Sequence, residues 1–307
     1  MIRFIIVRIL QTIIALLGIS ILIFLLVRAS GDPTDLFRTP SSTPEEIANI
    51  RTTLGLDKPI TEQYWIFISG LAQGDLGYSY QKMRPVTEMI GDALPNSLRL
   101  GISSFVISML AALLLGVLSA TRRDSWLDNV VKFIAVLGQA LPGFWLAIMA
   151  IWVFAVVLGI LPSYGTTGIK NYVMPVGTLS FFLLPGMMRL VRSSMLDVLD
   201  SEYVKLARIK GLPERIVIWK HALRNALIAP LTVAGMLFGL LIAGSVIIET
   251  VFAWPGIGRL DVDAMVARDF PIVQGVTLLV ATIILLVNLL VDILYAYIDP
   301  QIRYQST

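Results

Sequence analysis

The sequence predicts an all-α integral membrane protein: six transmembrane helices, both termini cytoplasmic, and an external segment after the first helix. Composition is the first reason. Of 307 residues, 56% are hydrophobic and 15% charged, against about 25% charged in an ordinary globular chain. The mean hydropathy is +0.81, more apolar surface than a water-soluble fold can hide, so lipid must be the solvent for much of the chain. The second reason is six stretches that approach the roughly 20 mostly apolar residues a helix needs to cross the hydrocarbon. The third is that Lys and Arg gather in alternate short connections.

The first stretch runs Phe4–Val27. Val27-Arg28-Ala29 resembles a signal cleavage site, but the apolar run exceeds the about 7–15 residues of a signal core, so it reads as an anchor. The second is Leu100–Ala120, and the third Val130–Leu158 with Pro142 inside it. The fourth is Tyr172–Leu190, interrupted by Pro175 and Pro185; the fifth is Leu227–Ile248, with Pro230 near its start; the sixth is Ile272–Ile298. Internal prolines are tolerated in membrane helices where neighbours re-satisfy the freed carbonyls, so the third and fourth are kept as spans.

Arg3 and Arg8, then Arg122, Arg123 and Lys132, then the stretch Arg189 to Arg224, and finally Arg303 fall on one side. The opposite short connections hold only Lys170, Arg259 and Arg268. The positive-rich side is cytoplasmic. The resulting division is 1–29 as first transmembrane helix, 30–98 as external segment, and 99–307 as a five-helix core with a cytoplasmic loop at 195–226.

In the external segment, Ser42 or Thr43 is placed to cap a helix that Pro44, Glu45 and Glu46 begin and Gly55 ends. Tyr64, Trp65, Phe67, Ile68 and Leu71 have helical spacing, and Gly74-Asp75-Leu76-Gly77 is a turn. This reads as a small packed cap on the outer membrane face, with a surface for an external partner as its second role.

The cytoplasmic loop carries more information. Ser201 is placed to cap a helix of Glu202, Tyr203, Val204, Lys205, Leu206, Ala207, Arg208, Ile209 and Lys210, and Gly211 closes it. Pro213 opens a second helix, with Trp219, His221 and Asn225, that feeds the fifth span. Tyr203, Leu206 and Ile209 recur every third residue and can offer one ridge to a groove; Lys205, Arg208 and Lys210 form a basic rim. Docking to a cytoplasmic partner and a basic loop that fixes topology or lies on anionic lipid are both open readings.

Within the spans, Asp292 is the one acid near a span interior, read as having a local structural partner such as Asn288; Glu249 lies at the outer end of the fifth. Gly235 and Gly239, with Gly244 beyond, make a small-residue face for helix packing or a substrate path, most naturally against a second subunit. The absence of cysteine rules out disulfides, thiolate metal sites and cysteine nucleophiles. The single histidine excludes multi-histidine metal sites; His221 sits among Lys220 and Arg224 with no local acid to orient it, so it reads as a surface or packing residue and leaves very little for acid–base chemistry. A net charge of +3 is too small to point to nucleic acid.

A set of short motifs is similar to one family. They are Gly31-Asp32-Pro33, Leu54-Gly55-Leu56-Asp57-Lys58-Pro59, Gly74-Asp75-Leu76-Gly77, Arg84-Pro85-Val86 and Phe252-Ala253-Trp254-Pro255-Gly256-Ile257-Gly258-Arg259. Arg268-Asp269-Phe270-Pro271 and the tail Asp299-Pro300-Gln301-Ile302-Arg303-Tyr304 complete the set. The chain resembles, almost end to end, the integral-membrane permeases of binding-protein-dependent ABC importers, in the peptide and nickel group. Ala207, Gly211 and Leu223 agree with the broad loop signature of those importers, while Lys205 stands where the signature has its acid.

The resemblance implies a type I ABC-importer-like fold in a bacterial inner membrane, working by alternating access. It implies a homologous second permease subunit, two ATP-binding subunits that carry ATP and Mg and grip the loops of the two permeases, here the 202–211 helix, and an external substrate-binding protein. No cofactor would be bound by this chain, and the sequence has no G-x-x-x-x-G-K-[ST] phosphate loop. Peptide is the expected substrate, with nickel or a nickel chelate as the alternative. The competing classes lack their parts: an intramembrane enzyme needs a serine–histidine pair or two facing acids inside the bundle, and an ion-coupled transporter needs a relay of acids.

Overall fold

The computed structural model describes residues 2–31, 34, 43–53 and 55–298. Asp32, Pro33, Ser42, Leu54 and the 299–304 tail motif with Arg303 lie outside them, as do the side-chain surroundings at Gly244.

Helix α1 (Ile2–Ser30) is apolar on all sides and packs on the chain along one narrow face. Near its C-terminal end Ile23, Phe24 and Val27 are buried with Leu278. The Phe24 ring lies 5.4 Å from Tyr64 and 5.6 Å from Phe67. Those two residues belong to α3 (Ile60–Ala72), so the aromatic spacing in the segment is used for packing, except that Trp65 is 70% exposed. Before α3, Thr43 and Glu46 cap α2 (Pro44–Thr53) reciprocally: the Glu46 amide donates to Thr43 Oγ1 and the Thr43 amide to Glu46 Oε2. Such a pairing satisfies two amides that the helix itself cannot. Gly55, at φ +65°, ends α2 in the left-handed conformation that glycine adopts without steric cost.

A two-residue ladder, β1 (Tyr78–Ser79) with β2 (Arg84–Pro85), leads into α4 (Val86–Thr121). The expected second span is only the latter part of α4. At 1.5 Å per residue its 36 residues reach well past the about 30 Å of hydrocarbon. Ser104, Ser108, Ala112 and Gly116 are buried along it. They let α7 (Ile169–Leu199) approach closely: a Cβ on Gly116 would stand 2.7 Å from Val191 Cγ1. Pro175 and Pro185 sit inside α7 without ending it, and α7 runs nine residues past the expected span end to Leu199.

The third stretch is not one straight helix. α5 (Trp126–Ala140) and α6 (Gly143–Ala150), which runs on in π-helical turns through Val157, meet at 103°. The reason is local. Pro142 disfavours the helical region for the residue before it, and Leu141 takes φ −90°, ψ 125°. The fifth stretch is also bent. A segment from Glu214 to Ala226 meets α11 (Ile228–Val251) at 53°, where Pro230 withholds an amide from the last turn before the bend. Among the described residues, α1, α4, α7 and α13 (Phe270–Ile298) are each long and apolar enough to cross a membrane. The two bent pairs make six crossings when each pair is one span.

Between α11 and α13 lies α12 (Ile257–Ala267). Ile257 and Ala264 are buried there with Val86, Ile90 and Ala93 of α4 and Ile272 and Val276 of α13. Between α7 and the bend lie α8 (Glu202–Ile209), α9 (Glu214–Ile216), π-helical turns over Val217–Ala222, and α10 (Leu223–Ala226). Since α10 leads into α11 and α12 follows it, α8 and α12 stand at opposite ends of the bundle.

Candidate functional site

α8 is short, and its eight residues divide cleanly between two faces. Val204 and Ala207 are buried among Val117 and Ala120 of α4, Val191 and Met195 of α7, and Val217, Ala222, Leu223 and Ala226 of the following segment. One face is thus bolted to the ends of two long helices and to the lead-in of a third. The opposite face is apolar and bare: Tyr203 is 43% exposed, Leu206 52% and Ile209 80%. Three uncovered side chains on a helix with a firm foundation make a ridge suited to a partner's groove.

The ends of α8 are held differently from each other. Ser201 occupies the N-cap position, yet its hydroxyl donates to the Val198 carbonyl at 2.6 Å and makes no cap bond, which corrects the expected role. Gly211 does turn the chain as the sequence indicates. At φ +76° its amide donates to Arg208 and the Leu212 amide to Ala207, so the last turn's carbonyls are satisfied. Ala207 faces the chain's own core, which removes it from any surface offered to a partner.

The basic rim is partly neutralised. Lys205 Nζ lies 2.8 Å from Glu202 Oε1, and that carboxylate holds the lysine pKa above its ordinary value. Arg208 Nη2 lies 2.8 Å from Glu214 Oε1, tying α8 to α9 across the Gly211 turn. Lys210 is exposed at the C-cap.

A neighbouring cluster was not legible as a site. Asp128 is fully buried and accepts from Arg192 Nε and Nη2 at 2.8 and 3.0 Å, from Ser119 Oγ, and from the Asp124 amide at 3.0 Å. Lys132 Nζ adds a contact at 2.7 Å. The cluster pins the start of α5 to α4 and α7 beside the α8 foundation. Its only sequence signal is the helix-start pattern Ser125-x-x-Asp128, in which Ser125 Oγ accepts the Asp128 amide. Val204 was likewise missed as the anchor, although its spacing from Ala207 places both on one face.

The intramembrane candidates resolve into packing. A Cβ on Gly235 would stand 2.6 Å from Val291 Cγ2, and Gly239 faces Val287, Asn288 and Ile284. At Gly235 and Gly239 the glycine face therefore meets α13 of the same chain, where the sequence suggested a second subunit. Asp292 pairs with Arg8 Nη1 of α1 at 3.2 Å, which replaces the expected partner Asn288. Glu249 is fully buried and belongs to neither group. Among the described residues, no group of three or more His, Asp or Glu side chains is placed to hold a metal ion. What this arrangement offers is an exposed apolar ridge on a buried base.

This is a multi-pass helical membrane architecture that presents one exposed apolar ridge on a buried base. Residues 112–304 match the family of binding-protein-dependent transport system inner membrane components, and residues 1–101 match the family's N-terminal component. The chain belongs to this family and is a multi-pass protein of the cytoplasmic membrane. It is 41% identical over 306 residues to a Brucella abortus (strain 2308) chain that bears the name of a peptide transport system permease protein, covering 97% of this chain and 98% of that one. It is 40% identical over 306 residues to the glutathione transport system permease protein GsiC of Escherichia coli (strain K12), covering 99% and 100%. A solved structure, a crystal structure of an amino acid ABC transporter with histidines, shares the fold at a TM-score of 0.53 and 16% identity, covering 70% of this chain and 94% of that chain.

Proposed function

We propose that this chain is a peptide-translocating permease subunit of an ATP-driven importer, operating by alternating access. The two-faced α8 helix carries the reading. A partner that hydrolyses ATP needs a grip which is exposed, apolar and firmly seated, and Tyr203, Leu206 and Ile209 over buried Val204 and Ala207 supply one. The proposal includes a homologous second permease, two ATP-binding subunits that carry ATP and Mg, one of them gripping α8, and an external binding protein that delivers substrate. It also includes six spans with both termini cytoplasmic, so that α8 lies inside and α12 outside. Peptide is favoured over nickel because relatives covering nearly the whole chain carry the names of peptide and glutathione transporters, and glutathione is itself a tripeptide.

The test is Leu206→Asp in the assembled transporter. A carboxylate forced into an apolar groove is left without a partner, at a cost of several kcal/mol. The variant is expected to insert in the membrane, to lose co-purifying ATPase, and to lose substrate-stimulated hydrolysis. Lys170→Asp, at the other end of α7, should do neither. Normal ATPase association by Leu206→Asp would defeat the reading.

A further inference from the structure

α12 has no cap of its own. Gly256 occupies its N-cap position and has no side chain to offer the first amides. Three of those amides are nevertheless satisfied by other helices. The Ile257 amide donates to Ser97 Oγ of α4 at 2.8 Å, and the Gly258 and Arg259 amides donate to Glu249 Oε2 of α11 at 2.8 and 3.2 Å. The two capping groups are joined to each other, since Ser97 Oγ donates to Glu249 Oε1 at 2.7 Å; Ser245 Oγ donates to the same oxygen at 3.0 Å.

Glu249, Ser97, Ser245 and Gly258 are buried, and Arg259 is half-buried at the edge of the group. The approach requires bare backbone. A Cβ at Gly258 would stand 2.7 Å from the Val246 Cα, and one at Gly256 would overlap both the Glu249 carboxylate and Ser97 Oγ. The turn before α12 is stitched to the same place on α4: Trp254 Nε1 donates to the Asn96 carbonyl at 3.1 Å, and Asn96 Nδ2 to the Pro255 carbonyl at 2.9 Å.

A helix N-terminus capped from two other helices holds its cap only while those helices keep their spacing. We propose that Glu249 is a positioning residue that latches α12 to the outer ends of α4 and α11, so that the three travel as one body through the transport cycle. The inference rests on the permease reading above. α11 begins at the segment packed against α8 and carries Glu249 in its last turn, so a displacement imposed at α8 is delivered to α12, on the face where that reading puts the binding protein. If α4 and α11 parted, the Ile257 amide and the Ser97 hydroxyl would lose their partners and Glu249 one of its four donors, and that penalty in a buried site opposes the separation.

The experiment uses the complete transporter in vesicles, with its ATPases, binding protein and a peptide substrate, and compares Glu249→Ala, Glu249→Gln and Ser97→Ala. The glutamine carbonyl can accept both amides and its NH2 can donate to the two hydroxyls, so Glu249→Gln should stay close to the parent. Glu249→Ala should assemble and keep basal hydrolysis within about twofold, while binding-protein-stimulated hydrolysis and uptake fall about tenfold or more, the scale of lost charge-assisted hydrogen bonds. Ser97→Ala, which frees only α4, should lose severalfold.

A bismaleimide bridge between cysteines at Asp92 and Asp263, which line the same roughly 440 Å3 cleft between α4 and α12, should restore stimulation to Glu249→Ala. Normal stimulation in an assembled Glu249→Ala transporter overturns the latch. So does Ser97→Ala behaving as the parent when Glu249→Ala fails to assemble, and so does a bridge that restores nothing. A parent transporter that shows no peptide uptake would instead defeat the permease reading.

Discussion

Arg8 and Asp292 meet at 3.2 Å and join the first helix of the chain to the last. At the other end of α1, Ile23, Phe24 and Val27 hold the same pair of helices through Leu278. α1 is therefore clamped at two levels, one polar and one apolar. Asp292→Ala should loosen the polar clamp and lower stability by about 1 kcal/mol, since both groups sit near helix ends where a charged side chain can reach water. Thermal unfolding in detergent reads this, and the paired change Arg8→Leu with Asp292→Leu should recover most of the loss.

Gly235 and Val291 give a second prediction. Because the small-residue face meets α13 of the same chain, Gly235→Leu should destabilise the chain itself by about 1–3 kcal/mol, the usual cost of forcing volume into a packed contact. Gly235→Ala combined with Val291→Ala should be milder than Gly235→Ala alone, since the added methyl then has room. Unfolding temperatures of the purified chain decide it. A loss of partner assembly without loss of chain stability is not expected.

Topology can be tested cleanly, because the native chain has no cysteine. Thr167 and Lys210 are both exposed, before and after α7. An impermeant thiol reagent applied to intact cells should label Thr167→Cys and spare Lys210→Cys. Labelling at position 210 would invert the proposed orientation.

The α12 region should also be sensitive to pH. Burial alone pushes the Asp261 carboxyl up to about 6, and its Oδ1 has no hydrogen-bond partner. Burial raises Asp269 too, against the opposing effect of its Ser79 hydrogen bond. An acid whose folded pKa is raised binds its proton more tightly when folded. Stability is then greatest below the unfolded pKa and falls as pH rises towards the folded one. Thermal stability should therefore drop between about pH 4 and pH 6 by no more than about 3 kcal/mol for Asp261, at 1.36 kcal/mol per unit. Asp261→Asn should flatten that part of the curve.

What the sequence determined by itself is whatever depends on neighbours along the chain. Apolar runs long enough for hydrocarbon, the Thr43–Glu46 cap, the glycine turns at 55 and 211, and the position of the α8 ridge all arise from residues a few places apart. Local geometry and solvent preference set them before any tertiary contact forms. Even the bends had a local signal in Pro142 and Pro230, although proline marks where a helix can break and not through what angle.

Tertiary structure alone decided the pairings. Nothing in the spacing of Gly235 and Gly239 says whether the close neighbour is α13 or another subunit, because a small-residue face fits any helix that can reach it. Asp292 finds Arg8, Asp128 finds Arg192, and Glu249 with Ser97 caps a helix to which neither belongs. These partners lie far apart in sequence, and each is chosen because a buried charge or amide must be satisfied by whichever group the packed bundle brings within about 3 Å.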